Sequence, residues 1–387
     1  MNILSLKTEK IIEEESLKVK LQSGKKLRVK FGADPTKPDL HLGHAVVLRV
    51  LKEFQQKGHT IIFLLGDFTA RIGDPSGRDK TREPLSEAQI KENAKTYLDQ
   101  VGKILDLKLC EIRRNSEWYE KMDLPKILEV LSKATLAQVI EREDFKKRLE
   151  AGADIGLHEV IYPVMQGYDS VELKADVEVG GQDQLLNMLM GRDIQKKYGY
   201  TPQDIITVPL LIGTDGKRKM SKSYGNYIGL ADKPEDQFGK VMSIPDELIG
   251  SYLELVTNFD DARIKELKSE LKSGNPKNVK EQIAENVVEI YHGKDEAERA
   301  REHFNCVFRQ KKTPQEMDEF KVHSNKITSI LVETGLASSN SQAYRLIEQN
   351  GVKLDGKVVS GDNLIMEAGA HILQVGKFKF AKIKFDD

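Results

Sequence analysis

The sequence predicts an α/β protein: a doubly wound parallel sheet, then an α-helical domain, then a small α+β module. Three observations carry this. Residues 26–33 alternate as a strand, helical spacing takes over from about His41, and Ile61-Ile62-Phe63-Leu64-Leu65 is a continuous apolar run suited to a buried parallel strand. Together they make a β-α-β unit, whose handedness favours a doubly wound sheet. Residues 231–310 are rich in Glu, Lys and Asp at helical spacing, divided at Gly274-Asn275-Pro276, and a compact tail begins after about Lys326. The expected domains are therefore 1–230, 231–325 with a linker over 311–325, and 326–387.

In order, residues 8–24 read as a charged amphipathic helix ending at Gly24. Leu27, Val29 and Phe31 then fall on one strand face, and Lys26, Arg28 and Lys30 on the other. Asp34-Pro35-Thr36-Lys37-Pro38-Asp39 breaks regular structure. Val46, Val47, Val50, Leu51 and Phe54 keep helical spacing, with Gly58 at the C-terminal cap position. Ser86-x-x-Gln89 is a capping box for a helix to about Leu105. A strand is expected within 106–118, charged helix over 123–150, and a strand from Ile205 to Ile212. In the tail, Ser341 to Asn350 reads as a helix and Val352 to Val359 as a hairpin about Asp355-Gly356. The end, Lys377 to Phe385, alternates lysine with apolar residues.

Charged residues make up 31% of the chain and the net charge is −1. Global charge thus argues neither for nor against nucleic acid, and any such contact needs a local patch. Cys110 and Cys306 stand far apart, which gives no disulfide framework and no metal spacing and favours a reducing cytosol. Neither a signal peptide nor a run of about 20 apolar residues is read, so no membrane partner is expected.

Five segments carry side chains suited to chemistry. His41-Leu42-Gly43-His44 opens the helix after the first predicted sheet strand, where unpaired N–H groups favour anions. The histidines add donors and Gly43 gives room for a nucleotide; alone, they read more readily as capping or surface histidines, their place after the first strand shifts the balance, and no third metal ligand accompanies them. Gly66 to Arg78 follows the second strand, where open α/β sheets place ligands. It lacks the ending of a Walker loop and offers Asp74 to an ammonium group. Tyr162, Gln166 and Asp169 are spaced i, i+4, i+7 and share a helix face, suited to a small polar ligand or to a buried polar network. Gly180-Gly181-Gln182-Asp183-Gln184 permits close backbone approach, with Asp183 placed to accept from a ribose hydroxyl. Lys217-Arg218-Lys219-Met220-Ser221-Lys222-Ser223 is a glycine-flanked cationic loop, suited to polyphosphate; a basic surface loop is the commoner origin of such a run.

In this order the motifs resemble those of class I aminoacyl-tRNA synthetases. The Tyr162, Gln166, Asp169 set narrows the resemblance to the tyrosyl group. His-Leu-Gly-His with Tyr-Pro-Val-Met-Gln-Gly-Tyr-Asp-Ser looks like the second of its two bacterial branches. The resemblance spans nearly the whole chain. It implies a Rossmann-type catalytic domain with a connective insertion over 1–230, a helical domain for the tRNA anticodon region over 231–325, and an alpha-L RNA-binding module, as in ribosomal proteins, over 326–387. A cytoplasmic homodimer is implied, joining L-tyrosine to tRNA(Tyr) with ATP, with Mg²⁺ on the pyrophosphate and no protein-held metal.

Roles follow residue by residue. His41 and His44 match histidines that bind ATP and stabilise the adenylation transition state, and Thr36 matches a γ-phosphate contact. Lys219 and Lys222 match mobile-loop lysines on the pyrophosphate, with Arg78 and Arg82 as nearby cations. Asp34 lies near the substrate amine; Asp74, Tyr162 and Gln166 match groups holding the ammonium; Asp169 matches the acceptor for the phenol hydroxyl. Gly43, Gly181, Asp183 and Gln184 match nucleotide, ribose and tyrosine contacts. Lys377, Lys379, Lys382, Lys384, Arg345 and Lys353 are candidates for tRNA phosphates. The better-known branch has a tyrosine where this chain has Lys30, a cysteine at Phe31 and a threonine at Val47, so those roles are not carried over. Three other readings stand beside this one. A tryptophanyl relative shares both signatures but not the carboxylate at Asp169 with this tail. A non-catalytic RNA-binding paralogue would lose the histidines or lysines, and a nucleotidyltransferase would not need the tail.

Overall fold

The computed structural model describes residues 8–36, 38–75, 86–309, 319–322, 324–362, 369–376 and 379–385. The chain divides into two compact units, Met1–Ala297 and Glu298–Asp387. The boundaries expected at 230 and 325 do not coincide with that division.

In the first unit, β1 (Lys10–Ile12) and α1 (Glu14–Gln22) lead to β2 (Arg28–Ala33), α2 (Leu42–Gln56), β3 (Thr60–Leu65), α3 (Glu87–Val101) and β4 (Cys110–Arg114). Four helices follow: α4 (Ser116–Tyr119), α5 (Leu124–Leu131), α6 (Leu136–Ile140) and α7 (Glu143–Glu150). Then come α8 (Leu157–Glu172), β5 (Val177–Gly181), α9 (Leu185–Lys197) and β6 (Asp204–Val208). The sheet order is β1-β6-β5-β2-β3-β4. Every pairing is parallel except β1 with β6. The order reverses between β2 and β5, which makes a topological switch point at their C-terminal ends.

Several expectations shift in detail. The helix read over 8–24 begins only at Glu14: Lys10–Ile12 pair along β6 as an edge strand, and Glu13 turns the chain at φ 66. The charged stretch 123–150 is three short helices, because Asp123 and Thr135 each cap a new start. The helix after the Ser86 capping box stops at Val101, and β6 stops at Val208, before Pro209, which has no N–H to extend a ladder. The alternation in β2 does not mark a solvated face: the strand is central, and Lys30 is fully buried.

The helices α10 (Pro234–Met242), α11 (Ile249–Val256), α12 (Asp261–Lys272) and α13 (Pro276–His292) belong to the first unit. Buried Arg49 of α2 donates to the Val256 carbonyl at 2.7 Å, and Tyr252 donates to the Ile212 carbonyl at 2.8 Å, which ties α11 to the sheet domain. The division falls within α14 (Lys294–Arg309).

The second unit has β7 (Glu319–Val322), α15 (Ile327–Glu333), α16 (Asn340–Glu348), β8 (Val352–Leu354), β9 (Lys357–Val358), β10 (Gly369–Val375) and β11 (Lys379–Phe385). Its sheet runs β7-β11-β10-β8-β9 over a core of Ile327, Ile330, Leu331, Leu373 and Ile383. The β8–β9 hairpin turns at Asp355 and Gly356, both at positive φ, as its turn requires. β7 lies inside the stretch read as linker and pairs parallel with β11. Among the described residues no helix is long and apolar enough to cross a membrane.

Candidate active site

A cavity of about 330 Å³ opens at the switch point. It gathers Asp34, Thr36, His41, Gly43, His44, Asp74, Tyr162, Gln166, Asp169, Gly181, Asp183, Gln184 and Lys219 on one wall or another. Lys222 does not line it; its Nζ lies 5.8 Å from the ring centre of Tyr97, which does. Arg78 and Arg82 lie outside the described residues.

Each side chain is placed by an element the sequence encodes. His41 is the N-cap of α2 and its backbone N–H donates to His44 Nδ1 at 3.2 Å. The two rings lie 4.0 Å apart. Burial, then the neighbouring His44 and the cations Lys222 and Lys219, push the His41 imidazole well below its ordinary range. Burial and Lys222 push His44 down to about 4. Both are therefore neutral at physiological pH and serve as hydrogen-bonding groups, not cations. A Cβ at Gly43 would stand 3.1 Å from the His41 ring, so any larger residue there would have to displace that ring.

One end of the cavity is acidic. Asp34 accepts from Thr69 at 2.8 Å and from the Tyr162 hydroxyl at 3.0 Å. Burial pushes its carboxyl up to about 7. Gly66 makes this possible: a Cβ there would lie 2.0 Å from Asp34 Oδ1. Asp74 accepts from Gln184 at 2.8 Å, and Gln166 accepts from Asn187 at 3.0 Å. Tyr162, Gln166 and Asp169 do share one face of α8, toward the cavity.

Asp169 sits deeper. It accepts from Trp118 Nε1 at 3.0 Å and from Asn115 Nδ2 at 3.4 Å. Burial raises its carboxyl to about 7, with the Lys30 ammonium the largest opposing influence. The motif reading did not single out Asn115, Trp118, Thr69 or Glu178. The available signal was position, because Asn115 and Trp118 follow the C-terminal end of a parallel strand.

The loop lysine Lys219 pairs with Asp183 at 2.6 Å. The group suited to a ribose hydroxyl is thus bonded to the cation suited to polyphosphate. In the second unit Lys382 pairs with Glu319 at 3.4 Å, Lys384 is exposed, and Lys353 and Arg345 lie on β8 and α16. Lys377 lies outside the described residues.

Comparison with known proteins places this geometry in a family. Residues 22–309 match the model for "tRNA synthetases class I (W and Y)", and residues 327–362 match the S4 domain. The tyrosine–tRNA ligase of Thermotoga maritima is 48% identical over 387 residues, covering 99% of this chain and 96% of that protein. That of Aquifex aeolicus is 45% identical and covers 99% and 98%. A truncated mitochondrial tyrosyl-tRNA synthetase of Coccidioides posadasii superposes with a TM-score of 0.63 at 27% identity, over 76% of this chain and 88% of its own. In fold alone, a tyrosyl-tRNA synthetase from Archaeoglobus fulgidus, solved with L-tyrosine, matches at TM-score 0.62 and 24% identity, over 77% and 98%.

Asp169 keeps its proton to about pH 7 when folded, against an ordinary value of 3.8. Between those values the folded state holds a proton the unfolded chain has lost, so this group's contribution to stability falls as pH rises. Asp169→Asn removes that contribution. Its Tm, measured against the unsubstituted protein, should therefore improve by several degrees as pH rises from about 4 to about 7. A flat difference, or one of opposite slope, contradicts the assignment.

Proposed function

The chain belongs to the class I tRNA synthetases of the tryptophanyl and tyrosyl group, and from that premise we propose that it is a tyrosine–tRNA ligase. One observation carries the choice of amino acid. The cavity is lined by a buried carboxylate, Asp169, bonded to Trp118 and Asn115, and by a second acidic set, Asp34 and Asp74 with Tyr162 and Gln166. A zwitterion with a hydroxyl at the far end of its side chain satisfies both. Nearly full-length relatives named tyrosine–tRNA ligase support the same reading.

In this reading the phenol hydroxyl donates to Asp169 and the ammonium sits among Asp34, Asp74, Tyr162 and Gln166, with Gln184 steadying Asp74. The tyrosine carboxylate attacks the α-phosphorus of ATP, the bond to the bridging oxygen breaks, and pyrophosphate leaves with that electron pair. The terminal ribose hydroxyl of tRNA(Tyr) then attacks the acyl carbon, and AMP leaves. Neither step needs a side-chain nucleophile, so catalysis is orientation plus charge stabilisation. His41, His44 and Thr36 act as hydrogen-bonding groups to the phosphates. Positive charge comes from Lys219 and Lys222, with Arg78 and Arg82. Mg²⁺ would come with the ATP phosphates as part of the substrate and help to neutralise the pyrophosphate. Gly43 and Gly181 admit the nucleotide, and the ribose takes Asp183 from Lys219. That exchange frees the lysine for pyrophosphate and links nucleotide entry to loop movement.

The helices after 231 and the basic residues of the C-terminal unit are proposed to bind the tRNA, in the cytoplasm. A homodimer is supported by apolar side chains left in solvent on α5–α8: Leu124, Leu128, Leu136, Leu149 and Leu157 are 65%, 57%, 62%, 53% and 81% exposed. Leu128→Glu with Leu136→Glu should convert a dimer into monomers in sedimentation analysis; a monomer before substitution contradicts the proposal.

Amino-acid-dependent ATP–pyrophosphate exchange with tyrosine, phenylalanine and tryptophan in parallel tests the activity. Tyrosine alone should support exchange, with phenylalanine rejected by about 10⁴–10⁵, the discrimination familiar from tyrosyl-tRNA synthetases. Exchange with tryptophan instead would overturn the assignment, since an indole N–H is also a donor to a carboxylate. Lys222→Ala should slow exchange by about 10²–10³ and leave tyrosine affinity within about twofold. Equal loss in both contradicts its role on the pyrophosphate.

A further inference from the structure

Lys30 is the least expected residue in the cavity wall. It is a fully buried lysine on the central strand β2, at the position where the better-known branch carries a tyrosine. An ammonium has three N–H donors and no acceptor. All three are engaged: Nζ lies 2.9 Å from Glu178 Oε1, 2.8 Å from Ser170 Oγ and 3.1 Å from the Gln166 carbonyl oxygen. Glu178, on β5, also accepts from Ser170 at 3.3 Å and from Gln203. Strand β2, helix α8 and strand β5 therefore hold the ammonium in place, and no donor is left over for a ligand.

We infer that Lys30 is a positioning residue of the amino-acid pocket: it makes no bond to the ligand and acts by holding the Asp169 carboxylate in its charged, hydrogen-bond-accepting form. The inference rests on the proposed tyrosine pocket and deepens it. Two of the three acceptors, Gln166 and Ser170, flank Asp169 on α8, which fixes the cation beside that carboxylate. Lys30, Glu178 and Asp169 line the same cavity. The charged and titratable groups facing Asp169 are Lys30 from β2, Asp34 just after β2, Tyr119 from α4 and Tyr162 from α8 itself, with Glu178 of β5 behind Lys30. Lys30 is the one cation in that set. Asp34 is a like charge, and Tyr119, whose hydroxyl donates to the Met165 carbonyl at 2.5 Å, is a neutral group that favours the ionised carboxyl less than Lys30 does. Without Lys30 the carboxylate faces burial with only neutral donors, so it keeps its proton to higher pH. A protonated Asp169 offers a hydrogen where the phenol needs an acceptor.

The chain contains a single tryptophan, and its Nε1 donates to Asp169. Its emission therefore reports the ionisation of Asp169 without any substrate. The experiment titrates tryptophan emission against pH in unliganded protein, for the unsubstituted chain, Lys30→Met, Lys30→Arg and Glu178→Gln. Thermal unfolding verifies that each variant is folded. The midpoint should lie near 7 in the unsubstituted chain. Lys30→Met should raise it by about one pH unit or more, and Lys30→Arg should restore it. Glu178→Gln, which keeps the cation and removes a negative charge, should not raise it. In exchange assays Lys30→Met should raise the tyrosine KM about tenfold at neutral pH, with a smaller effect on kcat and recovery as pH rises.

A folded Lys30→Met with an unmoved midpoint, or with a KM defect equal at every pH, overturns the inference. So does a raised midpoint in Glu178→Gln, the decisive variant if Lys30→Met does not fold. Absence of tyrosine exchange in the unsubstituted protein would instead count against the functional reading, and the emission titration stands apart from that outcome.

Discussion

Burial of charge at the point where the sheet changes direction is the constraint on which the rest depends. Ionised groups taken from water are costly unless they are paired or hydrogen-bonded. Here Lys30, Glu178, Asp34 and Asp169 all lie where β2, β5 and α8 converge. Each has its partners supplied by a different element. Lys30 and Glu178 satisfy one another across two adjacent strands, with Ser170 and Gln203 taking the remaining positions. Among the described residues neither Asp34 nor Asp169 forms an ion pair; Lys30 acts on Asp169 without bonding it, and burial leaves both carboxyls at the edge of ionisation. Such a site is poised for a ligand that brings an ammonium to one carboxyl and a hydroxyl to the other.

The architecture around this cluster follows from it. The backbone must come close without side chains in the way, which explains Gly66 against Asp34 and Gly43 against His41. Neutral histidines at the start of α2 supply hydrogen bonds next to an acidic pocket without adding fixed charge there. Positive charge sits on a separate loop, and one of its lysines, Lys219, is paired with Asp183. In the proposed function, nucleotide binding at Asp183 would release Lys219 toward the phosphates.

Much of this was legible in the sequence because it has a period or a turn signature. The β2–α2–β3 unit, the shared face of Tyr162, Gln166 and Asp169, and the Asp355-Gly356 hairpin are written in local spacing. Lys30 was not legible as a buried group. A lysine between apolar neighbours in a strand looks like a solvated face, and only the sheet order shows both faces covered. A strand was expected within 106–118, but Asn115 and Trp118 just beyond its end belong to no motif, and only the fold brings them to Asp169. The change in composition near 231 reports exposed helix faces, whereas the division into units depends on buried contacts such as Arg49 to Val256.

The most direct test of the central claim is an NMR titration of Asp169 in protein labelled with ¹³C at aspartate side chains, with and without saturating tyrosine. Asn substitution at Asp169 would assign the resonance. Unliganded, the carboxyl should titrate near 7. With tyrosine bound, its midpoint should fall, because the phenol hydrogen bond favours the ionised form. Titration near the ordinary value of 3.8, unchanged by tyrosine, would contradict the account.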